Sequence, residues 1–285
     1  MSKIYKWYGR LSKRTRDSVS ASCALVGIIS TLLSILGVSL ADLDGLSIIA
    51  RIGVVVVALV VFASVVYCGI GHIFRNQVRL TINQTSVNIF YGDIFKTKGF
   101  RVIGCDTHFD TRVNDIIISK NSLQGQMILE HGEVEEIKAA IDSEAKRLKI
   151  KRNENGLYDF PLGSIIRYDS SVDNQTYLML AMTELNGDYE AHTNMAKYEQ
   201  MLMKMWTEVA RVYASNDIVL PILGTGITRF DDGPKDSNSL LRCMLCTLNS
   251  SGVSFNSNIS VLIYGDANDI SLYEYKDMFN IIVKR

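Results

Sequence analysis

Val219–Phe230 reads "VLPILGTGITRF". The apolar run into Leu223 has the character of a buried strand, and Gly224-Thr225-Gly226 follows at its carboxyl end. Glycines in that place let backbone pass close to another group, and in α/β proteins that group is commonly a phosphate. The motif is not a Walker loop, because no Gly-Lys-Ser/Thr follows, and Thr228 and Phe230 stand where a dinucleotide fingerprint would carry its third glycine.

The flanks extend the α/β pattern in both directions. Upstream, Met195, Tyr198, Leu202, Met205, Val209 and Val212 fall on one stripe, which predicts a helix over 194–215 feeding the strand. Downstream, a helix from about 236 to 249, the strand "ISVLIY", a short helix near 271–279 and a last strand "NIIVK" are expected. Earlier, "VRLTIN" and "VNIFYG" read as strands joined by a turn at Gln84, Thr85 and Ser86. "RVIGCD" and "DIIIS" read as short strands, a helix is expected over 133–149, and "SIIRYD" and "YLMLAM" suit further strands. Strands alternating with crossover helices imply a layered α/β sheet, and no repeat or low-complexity linker divides residues 75–285.

The amino-terminal quarter differs in kind. No charged residue occurs from Ser18 to Ala41, and after Asp42, Asp44 and Arg51 none occurs from Ile52 to Phe74. A spanning helix needs ~20 apolar residues, and both runs reach that length. A pair of buried core helices is the alternative, but "VVVVALVVFASVV" lacks the polar stripe such helices carry. A cleaved signal peptide fits poorly, since the first run is long and a second follows it. Basic residues Lys3 to Arg16 precede the first run and Arg75 and Arg79 follow the second, so the positive-inside rule puts both termini in the cytoplasm. The expected organisation is a basic tail over 1–17, a transmembrane hairpin over 18–74 (about 18–41 and 52–74), and one α/β domain over 75–285, held at the inner membrane as a multi-pass protein. Small residues at Ser20, Cys23, Gly27, Ser30, Ser34, Gly37 and Ala41 line one face of the first run, suited to packing on the second run or to self-association.

Thirty basic and thirty acidic side chains leave no net charge, and no domain-sized basic patch lies outside the tail, which argues against nucleic acid as the partner. The five cysteines suit reduced cytoplasmic thiols. Cys243 and Cys246 have C-x-x-C spacing inside a helical pattern, without a second pair to complete a zinc site, and core packing is the better account. His108 between Asp106 and Asp110 admits acid–base or metal chemistry, but a solvated loop is the plainer reading. No metal site and no catalytic set is assigned.

Three segments stand in an order that resembles the macro domain, the ADP-ribose-binding α/β/α module: "YGDI" (91–94), "NSLQGQ" (121–126) and "PILGTGI" (221–227) followed by Phe230. The resemblance covers nearly all of residues 75–285 and implies a three-layer α/β/α domain with a mixed sheet. With the hairpin in front, the chain is similar to the membrane-anchored macro proteins of the Thoeris anti-phage systems. That likeness implies a partner TIR-domain enzyme that makes an ADP-ribose-containing signal from NAD, a macro domain that receives it, and membrane disruption that ends the infection. Membrane lipid and further copies of the chain are the other partners it implies.

Carried over residue by residue, the resemblance implies that Asp93 accepts from an adenine amino group and that the Ile94 amide serves a ring nitrogen. Asn121, Ser122, Leu123, Gln124 and Gly125 take the place of the first loop, and Gly224, Thr225, Gly226 and Ile227 would hold a diphosphate. Phe230 would pack on the distal ribose, and Tyr264 would wall the adenine pocket. For Asp93 a turn role after Gly92 competes, and for Phe230 a core role. The ligand implied is an ADP-ribose derivative, with amino-acid conjugates such as histidine-ADP-ribose compatible; no cofactor is expected. The N-A-A-N stretch and glycine run of hydrolysing macro domains have no match in "GCDTHFDTRVND" and "NSLQGQ". Recognition without catalysis is therefore expected, with a membrane-tethered ADP-ribosyl hydrolase and a non-binding interaction platform as alternatives.

Overall fold

The structure, a computed structural model, describes residues 13–35, 47–73, 77–187, 190–265, 270, 272–276 and 278. The chain forms two compact units: Met1–Val78 with Ser271–Met278, and Arg79–Ile270 with Phe279–Arg285.

In the first unit the two apolar runs form helices α1 (Lys13–Ile35) and α2 (Ile48–Ile73), which pack together. Arg14 near the start of α1 donates from Nε and Nη2 to the carbonyl of Tyr67 near the end of α2, at 3.0 and 2.6 Å, so the pair is antiparallel. Its guanidinium lies 3.7 Å from the Tyr67 ring centre. Ser18 and Ser22 are buried on α1, whereas Ser20, Cys23, Gly27 and Ser30 of the expected small-residue face are exposed. Gly37 and Ala41 of that face, and the loop between the runs, lie outside the described residues. Val57, Val60 and Val65 of α2 are exposed by 60% or more. Among the described residues no helix is long and apolar enough to cross a membrane. Within the short helix expected near 271–279, the described residues Leu272–Tyr275 form a 3₁₀ turn, and Tyr273 donates from its hydroxyl to the Asp17 carboxylate. The expected strand "NIIVK" lies outside the described residues.

Among the described residues the second unit is built on a nine-stranded sheet in the order β1-β2-β9-β7-β3-β5-β6-β8, with β4 also paired to β5. The strands are β1 (Gln77–Ile82), β2 (Thr85–Tyr91), β3 (Phe100–Asp106), β4 (Ile165–Asp169), β5 (Thr176–Leu185), β6 (Ala191–Thr193), β7 (Ile218–Pro221), β8 (Arg229–Phe230) and β9 (Ile259–Ile263). β2, β9, β7, β3 and β5 run parallel, and β4 is antiparallel to β5, giving a mixed sheet. The first turn is Asn83–Gln84, both at positive φ as a tight hairpin requires, one residue ahead of the expected position.

Helices cover both faces. Ile103, Cys105, Tyr177 and Met179 meet Met127 and Ile128 of α3 (Leu123–Glu130) and Ile137, Ile141 and Ala145 of α4 (Val134–Leu148) in one apolar cluster. Of the stripe expected over 194–215, Tyr198, Leu202, Met205 and Val209 are buried on α5 (Met195–Val212), with Met195 and Val212 at its ends half-buried, and the helix packs against β4, β5 and α6 (Ser237–Ser251). Asn194 and Asp236 cap α5 and α6 by accepting from the amides of Lys197 and Ser239. "DIIIS" does not form the expected strand. Asn114 Oδ1 takes the amides of Ile116 and Ile117, and Asp115 Oδ1 that of Lys120. Asp115 itself sits at φ +61, so side-chain acceptors win the amides that a ladder would need, and only a bridge between Val113 and Ile118 remains.

Candidate functional site

Because five neighbouring strands are parallel, their carboxyl ends share one edge, where open α/β sheets bind ligands. In the register, Tyr91 pairs with Ile263 and Leu262 with Pro221. The pairing continues past the strands, with the Gly92 amide donating to Ile263 O and the Ile222 amide to Leu262 O, both at 3.1 Å. Neighbouring strands lie ~5 Å apart, so Gly92–Ile94, Tyr264 and the segment from Ile222 leave the sheet within about 10 Å of one another.

The loop after β7 is built on buried Ile222 and Leu223. The buried Tyr198 hydroxyl donates to Leu223 O at 2.8 Å, and burial keeps that hydroxyl's pKa well above its ordinary value. Thr225 Oγ1 donates to Ile222 O at 2.9 Å and so closes the turn. Gly224 has φ +85, a conformation that disfavours a side chain, and a Cβ there would sit 3.4 Å from the Phe230 ring. Gly226 differs: a Cβ there would meet nothing within 4 Å, and Ile227 beside it is 64% exposed. The loop thus turns one face inward at Gly224 and an open face outward at Gly226.

Phe230 stacks edge-to-face on Tyr198 at 5.6 Å. It lies in β8, whose pairing with β6 sequence periodicity gave no sign of. A cleft of about 700 Å³ runs from Gly224, Gly226 and Phe230 to Lys235 and Asp236 at the head of α6. The Ser239 amide, then its hydroxyl, holds the Asp236 carboxyl below the usual range. Arg229 on the cleft wall bonds Glu190 at 2.6 Å, and His192 bridges Asp231 at 2.6 Å and Glu190 at 3.4 Å. Those bonds, with Asp231 foremost, raise the His192 pKa.

Asp93 performs the turn role and leaves part of itself available. Its Oδ1 accepts from the Phe95 amide at 2.9 Å, while among the described residues Oδ2 meets Lys96, at 3.3 Å, whose side chain is 84% exposed. Ile94 is buried with its side chain in the core, so only its backbone is placed to meet a ligand. Tyr264 stands at the shared edge and is 93% exposed.

The segment that the motif placed in the first loop caps and opens a helix. Ser122 is the N-cap of α3, accepting from the Gly125 amide at 3.0 Å, and Leu123, Gln124 and Gly125 are the helix's first turn. A Cβ on Gly125 would lie 2.2 Å from Ser119 O, so this glycine lets the helix lie against the preceding loop. Asn121 is exposed ahead of the cap. Gln124 turns back to the loop after β3, donating to Asp110 O at 3.0 Å and Asp106 Oδ2 at 3.4 Å. Burial raises the Asp106 pKa, and its oxygens accept from the His108 and Asp110 amides. Burial also pushes the Asp110 carboxyl up, but the Arg112 fork outweighs it and the net shift is downward. Cys243 is buried on α6 and Cys246 exposed.

Residues 87–264 match the family described as Thoeris protein ThsA, Macro domain. The chain is 30% identical over 254 residues to Thoeris protein ThsA of Bacillus amyloliquefaciens (strain Y2), covering 84% of this chain and 82% of that protein. Among solved structures, the Oceanobacillus iheyensis macrodomain with ADP aligns at TM-score 0.47 and 17% identity, over 72% of this chain and 96% of that one. The same macrodomain with MES bound aligns at TM-score 0.46 and 16% identity, over 72% and 97%.

Proposed function

The chain belongs to the Thoeris ThsA macro-domain family, and from that premise we propose that it is a signal-gated membrane effector. Its α/β unit binds an ADP-ribose derivative that a TIR-domain enzyme makes from NAD, and binding alters the amino-terminal helices so that the inner membrane is disrupted and the infected cell dies before phage spread.

The observation that carries this reading is positional. The ends of β2, β9 and β7 lie side by side and deliver a carboxylate with one outward oxygen, an exposed aromatic ring and a glycine turn with an open face. Asp93 and the Ile94 amide take the adenine, the amides of Gly224–Ile227 take the diphosphate, and the cleft beyond Gly226 and Phe230 takes the distal ribose and its substituent, an amino acid such as histidine being one fit. The unit reads its ligand without turning it over. Asp106, the buried carboxyl nearest in kind to a catalytic acid, already accepts from two amides of its own loop.

The two helices are the membrane part, a hairpin with both termini cytoplasmic. The exposed valines of α2 support lipid as the neighbour, and the outward small residues of α1 support contact with a second copy. A ligand shifts such an assembly only by its differential affinity for the two states.

Calorimetric titration of the full chain in lipid nanodiscs with ADP-ribose, NAD and the products of a TIR enzyme tests the proposal. Selective binding of a TIR product, recovered unchanged, is expected. Released ADP-ribose would favour the hydrolase, and no heat with any compound would leave a macro-like interaction platform.

A further inference from the structure

At the amino end of β3 a charge lies where charge is expensive. Arg101 is 5% exposed. Its Nη1 donates to Tyr177 OH at 2.9 Å and to Asp173 Oδ2 at 3.2 Å, and its Nη2 donates to Phe95 O at 2.8 Å. The Tyr177 hydroxyl donates onward to Asp173 Oδ2 at 2.8 Å, and His131 Nδ1 lies 3.1 Å from the same oxygen. The His131 ring stacks on Phe95, 4.5 Å between centres and 12° from parallel. Among the described residues Arg101 Nε is buried without a partner, so this network leaves a donor unsatisfied there.

Stability alone does not call for the arrangement, because apolar residues of similar shape replace buried ion networks without loss in many proteins. What the network does is grip the backbone of Phe95 from one side and its ring from the other. Phe95 is the residue whose amide binds Asp93 Oδ1, and Thr97 Oγ1 donates to Asp93 O at 2.8 Å. Holding Phe95 therefore holds the Asp93 carboxylate in one rotamer, with Oδ2 outward.

We propose that Arg101, oriented by Asp173, Tyr177 and His131, is a positioning residue that fixes the Asp93 carboxylate in the orientation needed to accept from the amino group of an adenine ring. The proposal rests on the reading of Asp93 as a ligand acceptor. A guanidinium suits the task because its rigid fork reaches the Phe95 carbonyl and the Asp173–Tyr177 pair at once, whereas a lysine ammonium is a point charge.

The test uses the full chain with Arg101→Lys, Asp93→Ala and the double variant, and with Tyr177→Phe as a milder change should Arg101→Lys fold poorly. One arm is ligand-free: amide hydrogen exchange at Phe95 and Lys96 is expected to speed up in Arg101→Lys, and unchanged exchange overturns the proposal. The other arm compares affinity for ADP-ribose with that for its purine-riboside counterpart, which carries a hydrogen in place of the amino group and keeps every ring nitrogen an acceptor. A hydrogen bond to a charged acceptor separates the two by about 10- to 100-fold in wild type. Arg101→Lys is expected to bring that ratio toward one, as Asp93→Ala does, and the double variant to add nothing further. A merely structural role would lower both affinities alike and leave the ratio, and that result overturns the proposal. Wild type binding neither compound would instead sink the ligand reading, with the exchange arm still deciding whether Arg101 holds the turn.

Discussion

Gly224 and Gly226 stand two residues apart in one loop, and substitution should separate them completely. At Gly224 the backbone has φ +85. A side chain held there costs about 1–3 kcal/mol of strain. A Cβ would meet the Phe230 and Leu240 side chains at 3.4 and 3.5 Å, ordinary contact distances, so Gly224→Ala loses stability through its backbone and not through collision. For a unit of this size each kcal/mol moves the melting point by about 2–4 °C. At Gly226 neither condition holds, and Gly226→Glu should melt with wild type. Its carboxylate would stand where the diphosphate binds. Two like charges ~4 Å apart at an effective dielectric of ~20 repel by about 4 kcal/mol, close to a thousandfold in affinity. Differential scanning calorimetry and titration on the same preparations give both numbers. A Gly226→Glu protein that melts normally and binds an ADP-ribose ligand within threefold of wild type would refute the diphosphate cradle, and a Gly224→Ala protein as stable as wild type would refute the strain argument.

His192 has its pKa raised by Asp231 and Glu190, and protons it holds when folded but not unfolded stabilise the fold. That contribution is fully present below the ordinary histidine value and is lost as pH rises through the raised one, so the β6–β8 pairing beside the loop should loosen on the alkaline side. A proton NMR titration of the His192 ring should give a midpoint above ~6.5, and a midpoint at or below it would contradict the geometry. Gly125→Ala places a methyl 2.2 Å from Ser119 O and should cost about 1–3 kcal/mol by overpacking, read as a lower urea midpoint. An unchanged midpoint would mean that α3 can lift away from its loop.

Periodicity made most of the fold legible. The stripe on α5 and the strand before the glycines are local patterns that burial enforces, and α6 opens at Asp236 because a carboxylate there caps an amide three residues on. "DIIIS" misled because its apolar residues look like a strand while Asn114 and Asp115 compete for the amides. At Gly125 the structure shows a packing need for glycine that the motif did not reveal, since a glycine needed for close packing and one needed for a ligand are the same letter.

What the chain determined without reference to the fold was local: which runs are apolar, where glycine and proline interrupt them, and the order of Gly92-Asp93-Ile94 and Gly224-Thr225-Gly226-Ile227 along it. Only the tertiary structure put those segments on one edge, by inserting β9 between β2 and β7 in parallel register. It alone gave Gly224 an inward face and Gly226 an open one, and gathered Arg101, His131 and Tyr177 around the Asp173 carboxylate, beside the Phe95 whose amide holds Asp93. Pairing across long stretches of chain depends on which buried faces and hydrogen bonds satisfy one another at the same time, and no window of sequence contains both partners.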